Sequence, residues 1–135
     1  MNKKYFDLAL KEAEKAYKLK EVPVGCIIVK DNKIIAKAHN MVEKKKDSTM
    51  HAEIIAIKKA SKKLKNWRLI DCEMYVTLEP CNMCKFAIEL SRINNVYYCV
   101  SGNNNVKINN DKYKGCKIHH NKSLSLLHNF FKSRR

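Results

Sequence analysis

Cys81 and Cys84 stand two residues apart behind a proline in "LEPCNMC", residues 78–84, and are the single close pair among six cysteines. Such a pair can be a redox couple, half of a structural zinc knuckle, or part of an open catalytic metal site. A structural zinc site closes all four positions with Cys or His, whereas a catalytic site keeps three protein ligands and one position for water. A knuckle would require a second C-x-x-C or a spaced histidine pair. Cys26, Cys72, Cys99 and Cys116 are isolated, and His119 and His120 are adjacent, so that alternative is weak. A thiol–disulfide couple at a helix start leaves "HAE", residues 51–53, without a purpose. His51, Cys81 and Cys84 as ligands to one zinc ion, with Glu53 beside it as a proton shuttle, account for both segments. Hydroxide attack at an amino-bearing ring carbon would then be deamination.

Positioning these residues requires two helices that begin at one point. Residues 2–20 carry apolar side chains at helical spacing with Lys and Glu between them, and predict an amphipathic helix. Val24 to Val29 and Ile34 to Ala38, separated by Asp31-Asn32, predict a hairpin. The lysine run 43–49 is expected to be a loop, with Asp47, Ser48 or Thr49 capping the next helix. That helix, 50–64, is expected to turn Ile54, Ile55, Ile57 and Ala60 inward, with His51 and Glu53 in its first turn. Residues 71–78 and 94–100 read as strands around a second short helix at 81–93. A last strand is expected near 115–118 and a closing helix from 123. Strands alternating with helices of this length predict a layered α/β domain with parallel neighbours where helices cross over. Helix starts then gather at the carboxyl edge of the strands.

The 135 residues suit a single domain, 1–135. No stretch approaches the roughly 20 apolar residues a membrane span needs, and charge interrupts the N-terminal segment too often for a signal peptide. A cytoplasmic protein is expected, with its thiols reduced. The net charge of +15, from 28 Lys and Arg against 13 Asp and Glu, points to a polyanionic partner. Of those basic residues 24 are Lys, and Asn occurs 14 times, a mixture an AT-rich genome could impose on any solvated surface.

H-x-E followed by P-C-x-x-C, here "HAE" and "PCNMC", is the zinc-dependent nucleobase deaminase signature. Together with "EVPVGCIIV", "HN" at 39–40, "STMHAEIIAI", "NWRLIDCEMYVTLEPCNMC", "SRI" and terminal "FFKSRR", it makes the chain resemble the bacterial tRNA-specific adenosine deaminase family over most of residues 4–100. The resemblance implies a cytidine deaminase-like three-layer α/β/α sandwich around a five-stranded mixed sheet. It also implies one Zn2+ per subunit, a homodimer, and conversion of adenosine to inosine at the wobble position of a tRNA anticodon stem-loop. Residue by residue, His51, Cys81 and Cys84 match the zinc ligands and Glu53 the general acid/base. Asn40 matches the asparagine that holds the flipped nucleoside, and Ala52 the residue whose backbone holds the base. The chain departs from the family after Val100, where "VSGNNNVKINN" replaces the usual substrate-facing segment in a shortened region. A free-base or nucleoside substrate, guanine or cytosine, is the alternative this departure raises. Cys26, Cys72 and Cys99 are expected in the core, His119, His120 and His128 at the surface or packed on a helix, and Trp67 packed at a helix exit. Phe130 and Phe131 beside Arg134 and Arg135 suit either RNA stacking or docking into the core.

Overall fold

Alternation of side chains along the strands decides how the layers assemble. The computed structural model describes residues 3–102 and 114–133. Its elements run α1 (Lys3–Lys18), β1 (Gly25–Lys30), β2 (Lys33–His39), α2 (Val42–Lys45), α3 (Ala52–Leu64), β3 (Cys72–Leu78), α4 (Asn82–Leu90), β4 (Asn95–Val100), β5 (Lys114–Lys117) and α5 (Asn121–Ser133). The strands form one five-stranded sheet in the order β2-β1-β3-β4-β5. β1 pairs antiparallel with β2 and β3, while β3, β4 and β5 are parallel. Asp31 and Asn32 turn the β1–β2 hairpin with φ of 51° and 61°, the left-handed pair that two-residue hairpin turns require and that Asp and Asn tolerate.

On one face Cys26, Ile28, Met74, Val76 and Val96 pack beneath Ala52, Ala56 and Ala60 of α3 and Ile88 of α4. On the other, Ile27, Val29, Tyr75 and Cys99 pack against Tyr5, Phe6 and Ala9 of α1, and α5 lies beside α1 and β4. The result is a cytidine deaminase-like α/β fold of three layers, as the resemblance implied. Gly25 is where α1 comes closest: a Cβ there would lie 1.9 Å from the Ala9 carbonyl oxygen and 2.6 Å from the Ala13 nitrogen.

Three sequence expectations need correction. The run 43–49 is not all loop, because Val42–Lys45 forms the single turn of α2. The residue that caps α3 is His51, without a side-chain hydrogen bond, and Asp47 instead accepts from the N–H and hydroxyl of Thr49 at 2.8 and 2.7 Å. The buried stripe of α3 is Ala52, Ala56 and Ala60, while Ile54, Ile55 and Ile57 are half-buried. Close approach of a helix to a sheet favours small residues at the contact, and the isoleucines flank it.

Candidate active site

One edge of the sheet collects the ends that matter. β1 enters there at Gly25 opposite His39 of β2, and β3 and β4 exit there at Leu78 and Val100. The Gly25 N–H donates to Thr77 Oγ1 at 3.1 Å and the Glu79 N–H to the Val100 carbonyl at 2.7 Å, which fixes these ends to one another. Both α3 and α4 begin beside them, with His51 and Cys81 as their respective N-cap residues.

The two helix starts bring His51, Cys81 and Cys84 together, with all three ligand atoms within 4.8 Å of one another. His51 Nδ1 lies 3.6 Å from each sulfur. A tetrahedral zinc site with Zn–N about 2.0–2.1 Å and Zn–S about 2.3 Å separates nitrogen and sulfur by about 3.6 Å, so the donor set fits zinc in type and spacing. Cys81 is lowered to about 4, first by the hydrogen bond from the Cys84 thiol and further by His51, against its burial. Cys84 moves upward as the donor to Cys81 and through burial. His51 is raised by its hydrogen bond to Cys81. The three ligand groups are in contact, and a bound dication would hold both sulfurs as thiolates.

Glu53, in the first turn of α3, is 4 % exposed. Burial is the main reason its carboxyl is raised to about 7, with His51 and Cys84 pulling the other way. It borders a cavity of about 330 Å³ that is also lined by Val24, Asn40, Val42, Ala52 and Glu79. Asn40 is buried, its N–H donates to the Val24 carbonyl at 3.1 Å, and its Oδ1 has no partner. Buried polar atoms without partners are uncommon, and the residue that carries this one lines the cavity. Ala52 is the first residue of α3, where backbone N–H groups have no partner inside the helix. Of the six residues singled out in the sequence, Asn40, His51, Ala52, Glu53 and Cys81 line this cavity, and Cys84 lies behind it in contact with His51.

The other expectations divide. Cys26, Cys72 and Cys99 are buried, and Cys116, which the sequence left unplaced, is exposed on β5. His119 and His128 are exposed, whereas His120 is buried between Ser123 Oγ at 2.8 Å and Asp7 Oδ1 at 3.1 Å. Trp67 is not packed away but half exposed, with the guanidinium groups of Arg68 and Arg92 at 4.3 and 5.3 Å from its ring. Phe130 docks into the core against Tyr17, and the side chain of Phe131, Arg134, Arg135 and residues 103–113 lie outside the described residues. Sequence reasoning missed Glu21 and Glu79, which also border the cavity. Both sit inside quoted motifs, "EVPVG" and "LEPC", where a polar residue among apolar neighbours was the available signal.

Fold and site together define a cytidine deaminase-like domain with a His-Cys-Cys group spaced to hold a metal ion. The sequence model of the cytidine and deoxycytidylate deaminase zinc-binding region matches residues 1–100, and the chain belongs to that family. It is 56 % identical over 99 residues to the tRNA-specific adenosine deaminase of Aquifex aeolicus (strain VF5), a match covering 73 % of this chain and 66 % of that protein. The chain spans between about half and two thirds of the length of the curated relatives it matches. Among solved structures, one from a study of A-to-I editing by tRNA:A34 deaminases superposes with a TM-score of 0.73 at 41 % identity, covering 74 % of this chain and 77 % of that one. A guanine deaminase from Bacillus subtilis superposes with a TM-score of 0.71 at 29 % identity, covering 98 % and 95 %.

Proposed function

We propose that this protein is a zinc-dependent deaminase that converts adenosine to inosine at the wobble position of tRNA. The observation that carries the chemistry is the buried carboxyl of Glu53 beside the converged His51, Cys81 and Cys84, at a cavity that Asn40 also lines. The identity to the Aquifex relative supports the tRNA substrate, as does the net charge of +15.

His51, Cys81 and Cys84 would hold one zinc ion per subunit, which when bound supplies a water acidified enough to attack at neutral pH. Glu53 would accept one proton from the attacking water and pass it to the ring nitrogen of adenine, then take the second proton from the newly added hydroxyl and pass it to the departing amine. Water and adenosine go in, inosine and ammonia come out, and Glu53 ends as it began. Asn40 holds the nucleoside through its free amide oxygen, and the backbone at Ala52 holds the base. The cavity of about 330 Å³ takes a single extruded base, and a wobble base is already unpaired and inexpensive to extrude.

A cytoplasmic location suits the six free thiols, and no helix of the described residues is long and apolar enough to cross a membrane. A homodimer suits the apolar side of α4, where Met83, Phe86 and Leu90 are exposed.

Deamination of free guanine is the second reading. One observation favours it: the guanine deaminase structure superposes on 98 % of the chain, whereas the Aquifex relative covers 73 % of it and the tRNA:A34 deaminase structure 74 %. The experiment incubates the purified protein with total tRNA, sequences the anticodons for inosine, and runs free adenosine, guanine and cytosine alongside. Inosine at the wobble position is expected. Ammonia released from guanine alone would retain the zinc chemistry and reassign the substrate.

A further inference from the structure

We infer that Glu21 is a positioning residue that anchors the α2 side of the active-site cavity from a distance in sequence. The inference rests on the deaminase reading above and names a residue that sets how that site grips its substrate.

α2 is a single turn, Val42–Lys45, whose own N-cap, Met41, has no side-chain group to offer its free N–H donors. Glu21 takes that part from 22 residues upstream. Its Oε1 accepts the N–H of Glu43 at 2.9 Å and its Oε2 accepts the N–H of Lys44 at 2.8 Å. The side chain is 1 % exposed, so both hydrogen bonds form away from water, where leaving either donor unmet is costly. Glu21 is itself fixed, because its own N–H donates to the Ala16 carbonyl at the end of α1 at 2.9 Å.

The segment from Asn40 to Lys45 is therefore pinned at three points. The Asn40 N–H meets the Val24 carbonyl at 3.1 Å, the Met41 N–H meets the Met50 carbonyl at 3.0 Å, and the Glu43 and Lys44 N–H groups meet Glu21. Asn40, Val42 and Glu43 from this segment line the cavity that Glu53 also lines, and Glu21 lines it too. The exposed Lys44, Lys45 and Lys46 follow Glu43 directly in the chain. Removing the anchor frees the wall that carries the Asn40 amide and the lysines together. It leaves the zinc ligands on α3 and α4 untouched. The loss falls on substrate binding and spares the proton transfers of Glu53.

The variant is Glu21→Gln, which keeps the volume but turns an N–H donor toward a backbone N–H. Two readouts are taken on the zinc-loaded protein. Hydrogen exchange at the Glu43 and Lys44 amides is expected to accelerate at least about tenfold, the size that loss of a charged hydrogen bond implies. KM for an anticodon stem-loop RNA is expected to rise about tenfold or more, with kcat within about threefold and zinc content unchanged. Glu21→Asp keeps the charge and retracts it by one methylene, and is expected to raise KM in the same direction. Unchanged exchange, unchanged KM in either variant, or a fall in kcat that tracks lost zinc would each overturn the inference. If the wild type acts on guanine and not on RNA, the substrate reading fails by itself. The exchange readout still applies, and the KM comparison moves to guanine with the same expectation.

Discussion

In the proposed mechanism Glu53 carries the heaviest chemical demand of any single side chain, since it would accept and release protons inside a buried site. Its place is argued from two independent facts: it is in the first turn of α3 two residues after His51, and it faces the Cys81–Cys84 turn that opens α4. Glu53→Gln retains size and hydrogen-bonding capacity but cannot shuttle protons. The variant is expected to retain one zinc per chain by metal analysis and to lose at least about 10²-fold in kcat. Activity within tenfold of the wild type would show that another group carries the protons. At this scale the sequence was most informative. His51, Glu53, Cys81 and Cys84 obey fixed local spacings, and local spacing on a helix start determines direction. Asn40 was legible through resemblance, because nothing in an asparagine after a strand distinguishes a ligand from a turn residue. The environment of His120 was not legible at all, since Asp7 lies 113 positions away.

At the level of elements, local signals succeeded and long-range ones failed. β1, β2, β3 and β4 announce themselves through apolar runs bounded by turn residues; the β1–β2 pairing follows from the hairpin turn and the parallel β3–β4 pairing from the crossover helix α4. α2 had no such announcement, because its cap is supplied by Glu21 across the chain. The stripe of α3 was misread because hydrophobicity favours Ile over Ala, whereas the sheet accepts the smaller residue at close contact. A similar long-range tie joins α1 to β2. Glu12 is buried and lies 3.5 Å from His39 Nδ1 and 2.6 Å from Lys15 Nζ. The His39 hydrogen bond, then Lys15, lower its carboxyl from 4.5 to about 2, against the effect of burial. A depressed carboxylate contributes stability that is present above the unfolded value and lost as pH falls through the folded one. The contribution is up to about 3 kcal/mol, intact above pH 4.5 and lost towards pH 2. Glu12→Gln is therefore expected to lower Tm at pH 7 and to flatten the fall in Tm between pH 5 and pH 2. Parallel acid profiles for the two proteins would refute the tie.

Across the whole molecule the question is what the surface is for. Exposed lysines occur on α1 (Lys3, Lys4, Lys11, Lys15, Lys18) and on α3 (Lys58, Lys59, Lys62, Lys63), in opposite layers of the sandwich. Lysines on both faces supply general attraction to a polyanion without marking a single binding face, so the charge by itself does not locate where RNA would sit. The apolar surface is more selective. Met83, Phe86 and Leu90 are 37 %, 49 % and 67 % exposed at positions i, i+3 and i+7 of α4, on one helix face. The segment with exposed Trp67 and Ile70 is tied to the end of α4 by the Leu69 N–H donating to the Ser91 carbonyl at 2.8 Å and by Arg92 over Trp67. Isolated apolar residues on a surface need no explanation, but a face of them bounded by arginines resembles the core and rim of an interface. A second copy of the chain is the occupant the homodimer reading requires. Light scattering at micromolar concentration is then expected to give twice the 15.7 kDa of the chain. Phe86→Glu places a charge at the middle of that face and is expected to weaken association by more than about 100-fold, leaving a zinc-loaded monomer. A wild type that runs as a monomer would remove the homodimer, and a Phe86→Glu variant that remains a dimer would move the interface elsewhere.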